Sequence, residues 1–220
     1  MHDNFNSKQK LYLFIFYLCI ESLNFIAIIV CMNNDLNIFI DKVVCVSPKQ
    51  TVVVFKNQKL QQQFILMAIK GIHNKIMLID ELNNMFEFAT ILYSIHGKKI
   101  YLSSFEVNEN YQQNGFGRLL FETAIAHGDI LGATEIYGEA SPINNIKGVS
   151  DAENSTFEDE EKAIFTIYEK LGCKINPLNH NFYNKWTSGK KIQLASSLVE
   201  KVAYMLAEKN GFSKEQHQPE

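Results

Sequence analysis

Val107-Asn108-Glu109-Asn110-Tyr111-Gln112-Gln113-Asn114-Gly115-Phe116-Gly117-Arg118 is the stretch on which the fold of this chain turns. Ahead of it, residues 99–107 (KIYLSSFEV) read as a strand. Behind it the apolar period changes from two to 3.6: Leu120, Phe121, Ala124, Ile125 and Leu131 fall on one side, Glu122 and His127 elsewhere. A strand therefore passes through a glycine turn directly into a helix. The first turn of a helix has backbone N–H groups without partners and the positive end of the helix dipole, so an anion placed there is stabilised. Glycine at 115 and 117 allows close approach, and Gln112 and Arg118 can add contacts at the rim. A plain helix cap is the bland alternative. The strand before, the helix after and the Q-x-x-G-x-G spacing together favour a phosphate grip. The run lacks the full G-x-G-x-x-G and no Gly-Lys-Ser/Thr follows, which sets aside the dinucleotide fingerprint and the Walker A loop. A pyrophosphate-bearing cofactor is the expected occupant.

Outward from this turn, short apolar runs alternate with helix-period stretches from residue 38 on, the pattern of an α/β or α+β layer fold. Residues 51–56 (TVVVFK) read as a strand. Asn57 then caps an expected helix in which Leu60, Phe64, Met67 and Ala68 form one apolar face, ending near Gly71. Residues 75–80, 85–95 and 99–107 read as three strands, joined by connections short enough for an antiparallel meander. Residues 134–140 form another strand. A polar stretch, 141–155, leads to a helix over about 157–171 that Gly172 stops. Residues 181–193 hold one or two final strands, and 194–209 an amphipathic helix through Leu194, Leu198, Val202, Met205 and Leu206, ended by Asn210 and Gly211. The expected organisation is an apolar extension over 1–40, one domain over 41–193, and a C-terminal helix and tail over 194–220.

The 220 residues carry 21 basic and 24 acidic side chains, net −3, so nothing in the charge favours nucleic acid or anionic lipid. Cys19, Cys31, Cys45 and Cys173 form no CxxC pair and the histidines are scattered. No metal site is expected, and a reducing, cytoplasmic setting is. The compositional oddity is residues 11–31 (LYLFIFYLCIESLNFIAIIVC), an almost wholly apolar run preceded by Lys8 and Lys10. It is long enough to span or anchor to a membrane, but Glu21, Ser22 and Asn24 sit near its centre, where a charge is costly. The alternatives are a pair of buried strands or a helical hairpin split at 21–24, or sequence upstream of a natural start at Met32.

In its motifs the chain resembles the GNAT superfamily of acyl-CoA-dependent N-acetyltransferases. Val107, Tyr111, Gln112, Gly115 and Gly117 match the family's strand valine, aromatic and [Q/R]-x-x-G-x-[G/A] phrase in order and spacing. Ala163-Ile164-Phe165-Thr166-Ile167-Tyr168-Glu169-Lys170-Leu171-Gly172-Cys173 is similar to the family's helix ending in Tyr-x-x-x-Gly. The resemblance covers roughly residues 45–193. It implies a mixed, mostly antiparallel central sheet flanked by helices, here with an extra C-terminal helix, and acetyl-coenzyme A as co-substrate. It also implies direct attack of an amine on the thioester in a cleft between splayed strands. On this pattern the backbone near Phe105 and Val107 pairs with the pantetheine arm, and the amides of Gln113, Asn114, Gly115, Phe116, Gly117 and Arg118 hold the pyrophosphate. Tyr168 protonates the leaving thiolate. Three departures stand out. Glu161 and Ile164 occupy places where the family often has Asn and Ala, and Cys173 replaces a Phe. Leu102, Ser103 and Ser104 stand where several relatives have a glutamate base. Glu106 and Glu139, each near the C-terminal end of a strand flanking the expected cleft, are the candidate bases, with a water relay as the alternative.

Two functional classes follow: an N-acetyltransferase acting on a small-molecule or protein amine, and a catalytically idle acyl-CoA-binding or interaction module on the same fold. A membrane-tethered form of the enzyme through residues 11–31 is a third. The acceptor pocket is expected from residues 58–74 and 141–156, the latter with acidic residues that could attract a cationic amine. The C-terminal helix is expected either to pack on the sheet or to mediate a homodimer.

Overall fold

The β-branched and aromatic runs after residue 38 form strands that pair with their neighbours in chain order. The computed structural model describes residues 38–47, 49–57, 59–141, 146 and 156–207. Strands β1 (Ile38–Ser47), β2 (Gln50–Asn57), β3 (Gln62–Ile69), β4 (Asn74–Asp80), β5 (Phe86–His96) and β6 (Lys99–Val107) make an antiparallel meander. A short 3-10 turn, Glu109–Tyr111, leads into helix α1 (Phe116–Ile130), after which β7 (Glu135–Glu139) returns parallel to β6. Helix α2 (Phe157–Lys170), β8 (Lys174–Asn176), β9 (Asn181–Lys185), the single turn α3 (Lys190–Gln193) and helix α4 (Ser197–Ala207) complete the described chain. The sheet order is β1-β2-β3-β4-β5-β6-β7-β9-β8, with β6–β7 its parallel pair. The class expected from the sequence, a mixed and mostly antiparallel sheet flanked by helices, is the one observed.

The helix expected after Asn57 is instead strand β3. Phe64, Leu66 and Ala68 lie in the main core, while Ile65, Met67 and Ile69 belong to a second apolar cluster on the other face. A strand apolar on both faces satisfies a helical template as readily as a strand one, and pairing with β2 and β4 on either side settles it. The capping chemistry of Asn57 survives in another form, since its Oδ1 accepts from Leu60 N–H at 3.1 Å to close the β2–β3 turn. Within 181–193 only Asn181–Lys185 is strand. Lys190–Gln193 is helical because Asp129 of α1 accepts from Gly189, Lys191 and Ile192 N–H at 2.7, 2.8 and 2.9 Å. The expected stops at Asn210 and Gly211, and all of 11–31, lie outside the described residues.

The main core lies between one sheet face and the pair α1 and α4. Leu119, Leu120, Ala124 and Ile125 of α1 and Leu198, Val199, Val202, Ala203 and Leu206 of α4 are buried there with Phe55, Phe64, Ile76, Leu78 and Tyr93. Helix α4 thus packs on the domain, as one of the two expectations had it, while Leu194, expected in its stripe, precedes the helix and is exposed. Gly172, at φ +82, ends α2 as expected. No helix among the described residues is long and apolar enough to cross a membrane.

Candidate functional site

The start of α1 is a turn whose carbonyls all accept hydrogen bonds from within the protein. Gly115 has φ +83, ψ −5, and its C=O receives the first helical bond from Leu119 N–H at 3.0 Å. Asn114 Nδ2 donates to Tyr111 O at 3.3 Å and Gln112 O at 3.2 Å. Lys59 Nζ donates to Gln113 O at 3.1 Å and Asn57 Nδ2 to Asn114 O at 3.2 Å. Every carbonyl from Tyr111 to Gly115 therefore accepts a bond from within the protein. The Phe116 and Gly117 amides precede the first helical bond and have no partner inside the helix. A left-handed residue followed directly by a helical one turns successive N–H groups to the same side, which makes a concave anion-binding nest. The negative ends of the turn's peptides are occupied, so its positive ends set the local potential.

The two glycines do different work. A Cβ on Gly115 would meet nothing within 4 Å, so the positive φ alone calls for glycine there. A Cβ on Gly117 would sit 3.3 Å from Phe105 Cζ and 3.6 Å from Val107 Cγ2, so this glycine lets the helix start approach β6. Tyr111 anchors the turn from beneath: its ring stacks on Phe88 at 4.1 Å and its hydroxyl donates to the buried Asp80 carboxylate at 2.7 Å. Asp80 Oδ1 also accepts from Gln62 Nε2 at 2.8 Å and from Leu82 N–H at 2.9 Å, so one carboxylate ties the aromatic to two hairpins.

Beside this turn the sheet opens. Strands β6 and β7 are paired only at Lys99, Ile100 and Tyr101 with Glu135, Ile136 and Tyr137, and then diverge. Asn108 N–H donates to Phe88 O on β5, so by alternation the backbone groups of Phe105 and Val107 face the opening. The Val107 carbonyl already accepts from Gln112 Nε2 at 2.9 Å, so Gln112 braces the strand end. The opening is a cleft of about 670 Å³ whose walls include Leu102, Phe105, Val107, Ile164 and Leu171, with Gln112, Gln113, Gly115, Gly117 and Arg118 at one end. That volume lies within the range of small-molecule and cofactor pockets. An apolar floor bordered by outward-facing strand backbone suits an extended amide-bearing chain. The helix start suits a pyrophosphate, so the residues present fit coenzyme A. Arg118 lines the cleft while its Nε pairs with Glu122 at 2.6 Å.

Tyr168 also lines this cleft. Its ring stacks on Phe182 at 4.1 Å and meets Phe105 and Phe121 edge-on at 6.3 Å. Burial, with the Cys173 thiol adding to the effect, pushes its phenol pKa well above the usual value, so the hydroxyl stays protonated and available as a donor. Cys173 is buried, and burial pushes its thiol up to about 12. Glu106 and Glu139 line the cleft too, from the ends of β6 and β7. Both are exposed, and each accepts from a serine two residues on or back: Ser104 Oγ at 3.5 Å and Ser141 Oγ at 2.9 Å.

Solved structures similar to this chain include GNAT-family N-acetyltransferases. The PaiA N-acetyltransferase of Thermoplasma acidophilum, in complex with coenzyme A, is 14% identical over 52% of this chain and 61% of its own, at a TM-score of 0.38. A GNAT-family acetyltransferase of Staphylococcus aureus Mu50 is 14% identical over 52% and 68%, at 0.39. An aminoglycoside 6'-N-acetyltransferase complexed with coenzyme A is 15% identical over 52% and 73%, at 0.37. The chain spans about three fifths of the length of the Thermoplasma protein. No family model and no curated protein matches the sequence.

The structure gathers Phe105, Glu106, Val107, Gln112, Gln113, Gly115, Gly117, Arg118, Glu139 and Tyr168 around one cleft. Asn114 and Phe116 stand apart from its walls: Asn114 turns its side chain into the loop, and Phe116 is buried against Phe64 and Phe88. Of the two segments expected to form the acceptor side, 58–74 contributes no cleft residue among those described, because most of it is β3 inside the sheet. From 141–156, Ser141 and Ile146 do line it. Asn57, Lys59 and Asp80, which hold the turn from behind, were missed. Their partners lie 57, 54 and 31 residues away, and no local pattern marks them.

Proposed function

We propose that this chain is an N-acetyltransferase that moves the acetyl group of acetyl-coenzyme A to a primary amine by direct attack. The observation that carries the reading is the turn at 111–115, with all its carbonyls satisfied internally, beside a cleft lined by Gly115, Gly117 and Arg118. In this reading those amides hold the pyrophosphate, and the outward backbone of Phe105 and the Val107 N–H hold the pantetheine arm. The thioester then lies between Tyr168 and the ends of β6 and β7. The neutral amine attacks the carbonyl carbon, the tetrahedral intermediate collapses to the amide, and the C–S bond breaks. Tyr168 gives its proton to the departing thiolate. Glu106 or Glu139, directly or through water, takes the proton that the amine loses.

That both glutamates are exposed favours a second reading, in which the chain binds acyl-coenzyme A without turning it over. A screen of amines for thiol release from acetyl-coenzyme A separates the two. Under the first reading some amine gives turnover, and Tyr168→Phe slows it by about 100-fold or more with affinity for coenzyme A retained. Binding without thiol release from any amine supports the second. Absence of binding refutes both.

A further inference from the structure

Strand β7 has a glycine in its interior, Gly138, and the register sets it opposite Phe182 of β9. A Cβ at that position would stand 2.8 Å from Phe182 Cε1, 2.9 Å from Phe182 Cζ and 3.0 Å from the Leu102 carbonyl oxygen. The Phe182 ring therefore occupies space that any other residue at 138 would fill, the close approach that a glycine inside a strand commonly marks. The backbone of Phe182 is fixed from both sides, by Gly138 of β7 and by Ile175 of β8. Its ring stacks on Tyr168, with centroids 4.1 Å apart and planes 20° apart. Phe105 of β6 and Phe121 of α1 meet the Tyr168 ring edge-on, each at 6.3 Å. The Tyr168 carbonyl accepts from Leu171 and Cys173 N–H at 3.1 and 3.0 Å, which ties its backbone to the turn into β8. Among the described residues no hydrogen bond holds its hydroxyl. Ring packing is what sets the place of that hydroxyl in the cleft.

We propose that Gly138 and Phe182 are positioning residues, which through their mutual contact set the depth at which Tyr168 presents its hydroxyl to the cleft. The inference rests on the reading of Tyr168 as proton donor to the thiolate. A close-packed interior transmits displacement, because no void takes it up. Carbon atoms in ordinary contact lie about 3.5–4.0 Å apart, so a methyl at 138 drives the Phe182 ring back by about 1 Å. The stacked phenol moves with it or loses its support. A misplacement of about 1 Å can cost about 10²-fold in rate. Phe182→Leu removes the ring on which Tyr168 rests and adds no atom near Leu102, so it separates the stack from any effect of a methyl on β6.

The test is a double-mutant cycle on the full chain, with thiol release from acetyl-coenzyme A measured on the acceptor amine that screening returns. Gly138→Ala and Phe182→Leu each lower kcat by about tenfold, and Phe182→Leu leaves KM for acetyl-coenzyme A within about twofold. In a chain already carrying Tyr168→Phe, either change lowers kcat by less than about twofold. Equal losses with and without the Tyr168 hydroxyl, or no loss at all, overturn the proposal and leave the enzymatic reading standing. Should Gly138→Ala fail to fold, the cycle with Phe182→Leu decides. A second readout needs no turnover. With ring-labelled tyrosine, the NMR signal of Tyr168, assigned by its loss in Tyr168→Phe, shifts in Gly138→Ala because the stacked ring has moved. If no amine turns over, the enzymatic reading fails by itself and this signal judges the contact: shifted, the positioning role stands; unshifted in a folded chain, it falls.

Discussion

Gly115 offers a clean separation of backbone conformation from sterics at the turn that opens α1. Its φ of +83 is left-handed, and a Cβ added there meets nothing within 4 Å, so Gly115→Ala changes only the conformational preference of one residue. Holding a residue with a Cβ in that region costs about 1–2 kcal/mol. For a domain of this size that corresponds to a fall in Tm of roughly 2–8 °C. The mutant has a cheaper alternative, which is to let Gly115 leave the left-handed region and turn the Phe116 and Gly117 amides away from the cleft. Affinity for coenzyme A should therefore fall by about tenfold or more, as expected for a nest that must be re-formed on binding. Gly115→Asn is the control, because Asn tolerates this conformation better than Ala, so it should recover much of both losses. Urea denaturation with a common m-value gives the stability, and calorimetric titration with coenzyme A gives the affinity. If Ala costs nothing in either measurement, or Asn costs as much as Ala, the conformational argument for this turn fails.

Asn57→Ala leaves the Asn114 carbonyl and the Leu60 N–H without their partners and should weaken coenzyme A binding several-fold by calorimetry, although the residue lies outside the cleft. Asp129 accepts from Trp186 Nε1 at 2.9 Å and from three backbone N–H groups, so Asp129→Ala should destabilise by at least about 3 kcal/mol. Trp186 is the sole tryptophan, so a red-shifted emission should report the release of the 186–192 turn before global unfolding. His127 is buried, shares a 2.8 Å hydrogen bond with the Tyr93 hydroxyl, and is pushed by burial, with Lys70 adding to the effect, from 6.5 down to about 3. The unfolded chain binds this proton below about pH 6.5 and the folded chain does not until about pH 3, so stability is lost as pH falls through that window, by at most roughly 5 kcal/mol. His127→Gln should flatten that acid limb in denaturation measured from pH 7 to 3. An unchanged slope would contradict the assignment.

The stretch 107–118 was legible because its constraints are local. A period of two that becomes 3.6 across a glycine marks a strand, a turn and a helix start, and backbone amides at a helix start attract anions whatever surrounds them. The helix 157–170 was legible for the same reason, since Gly172 stops it two residues past its end, and the Thr156–Asp159 capping box that opens it is equally local. Residues 62–69 were not, because an apolar run serves either period until a partner strand fixes its hydrogen bonds. That the 194–209 pattern packs on α1 was likewise beyond its reach, since an amphipathic stripe specifies that it will be covered and not by what.

What the sequence determined by itself is therefore the chemistry of the turn and the identity of the elements around it. Tertiary structure alone decided how that turn is held and what faces it. Asn57, Lys59 and Asp80 reach it across tens of residues, Tyr168 meets Phe105 and Phe182 from separate elements, and the parting of β6 from β7 opens the cleft between them. The physical reason is range. Dihedral preferences and helix-end electrostatics act within a few residues, whereas strand pairing and the closing of a cavity depend on contacts between segments far apart along the chain.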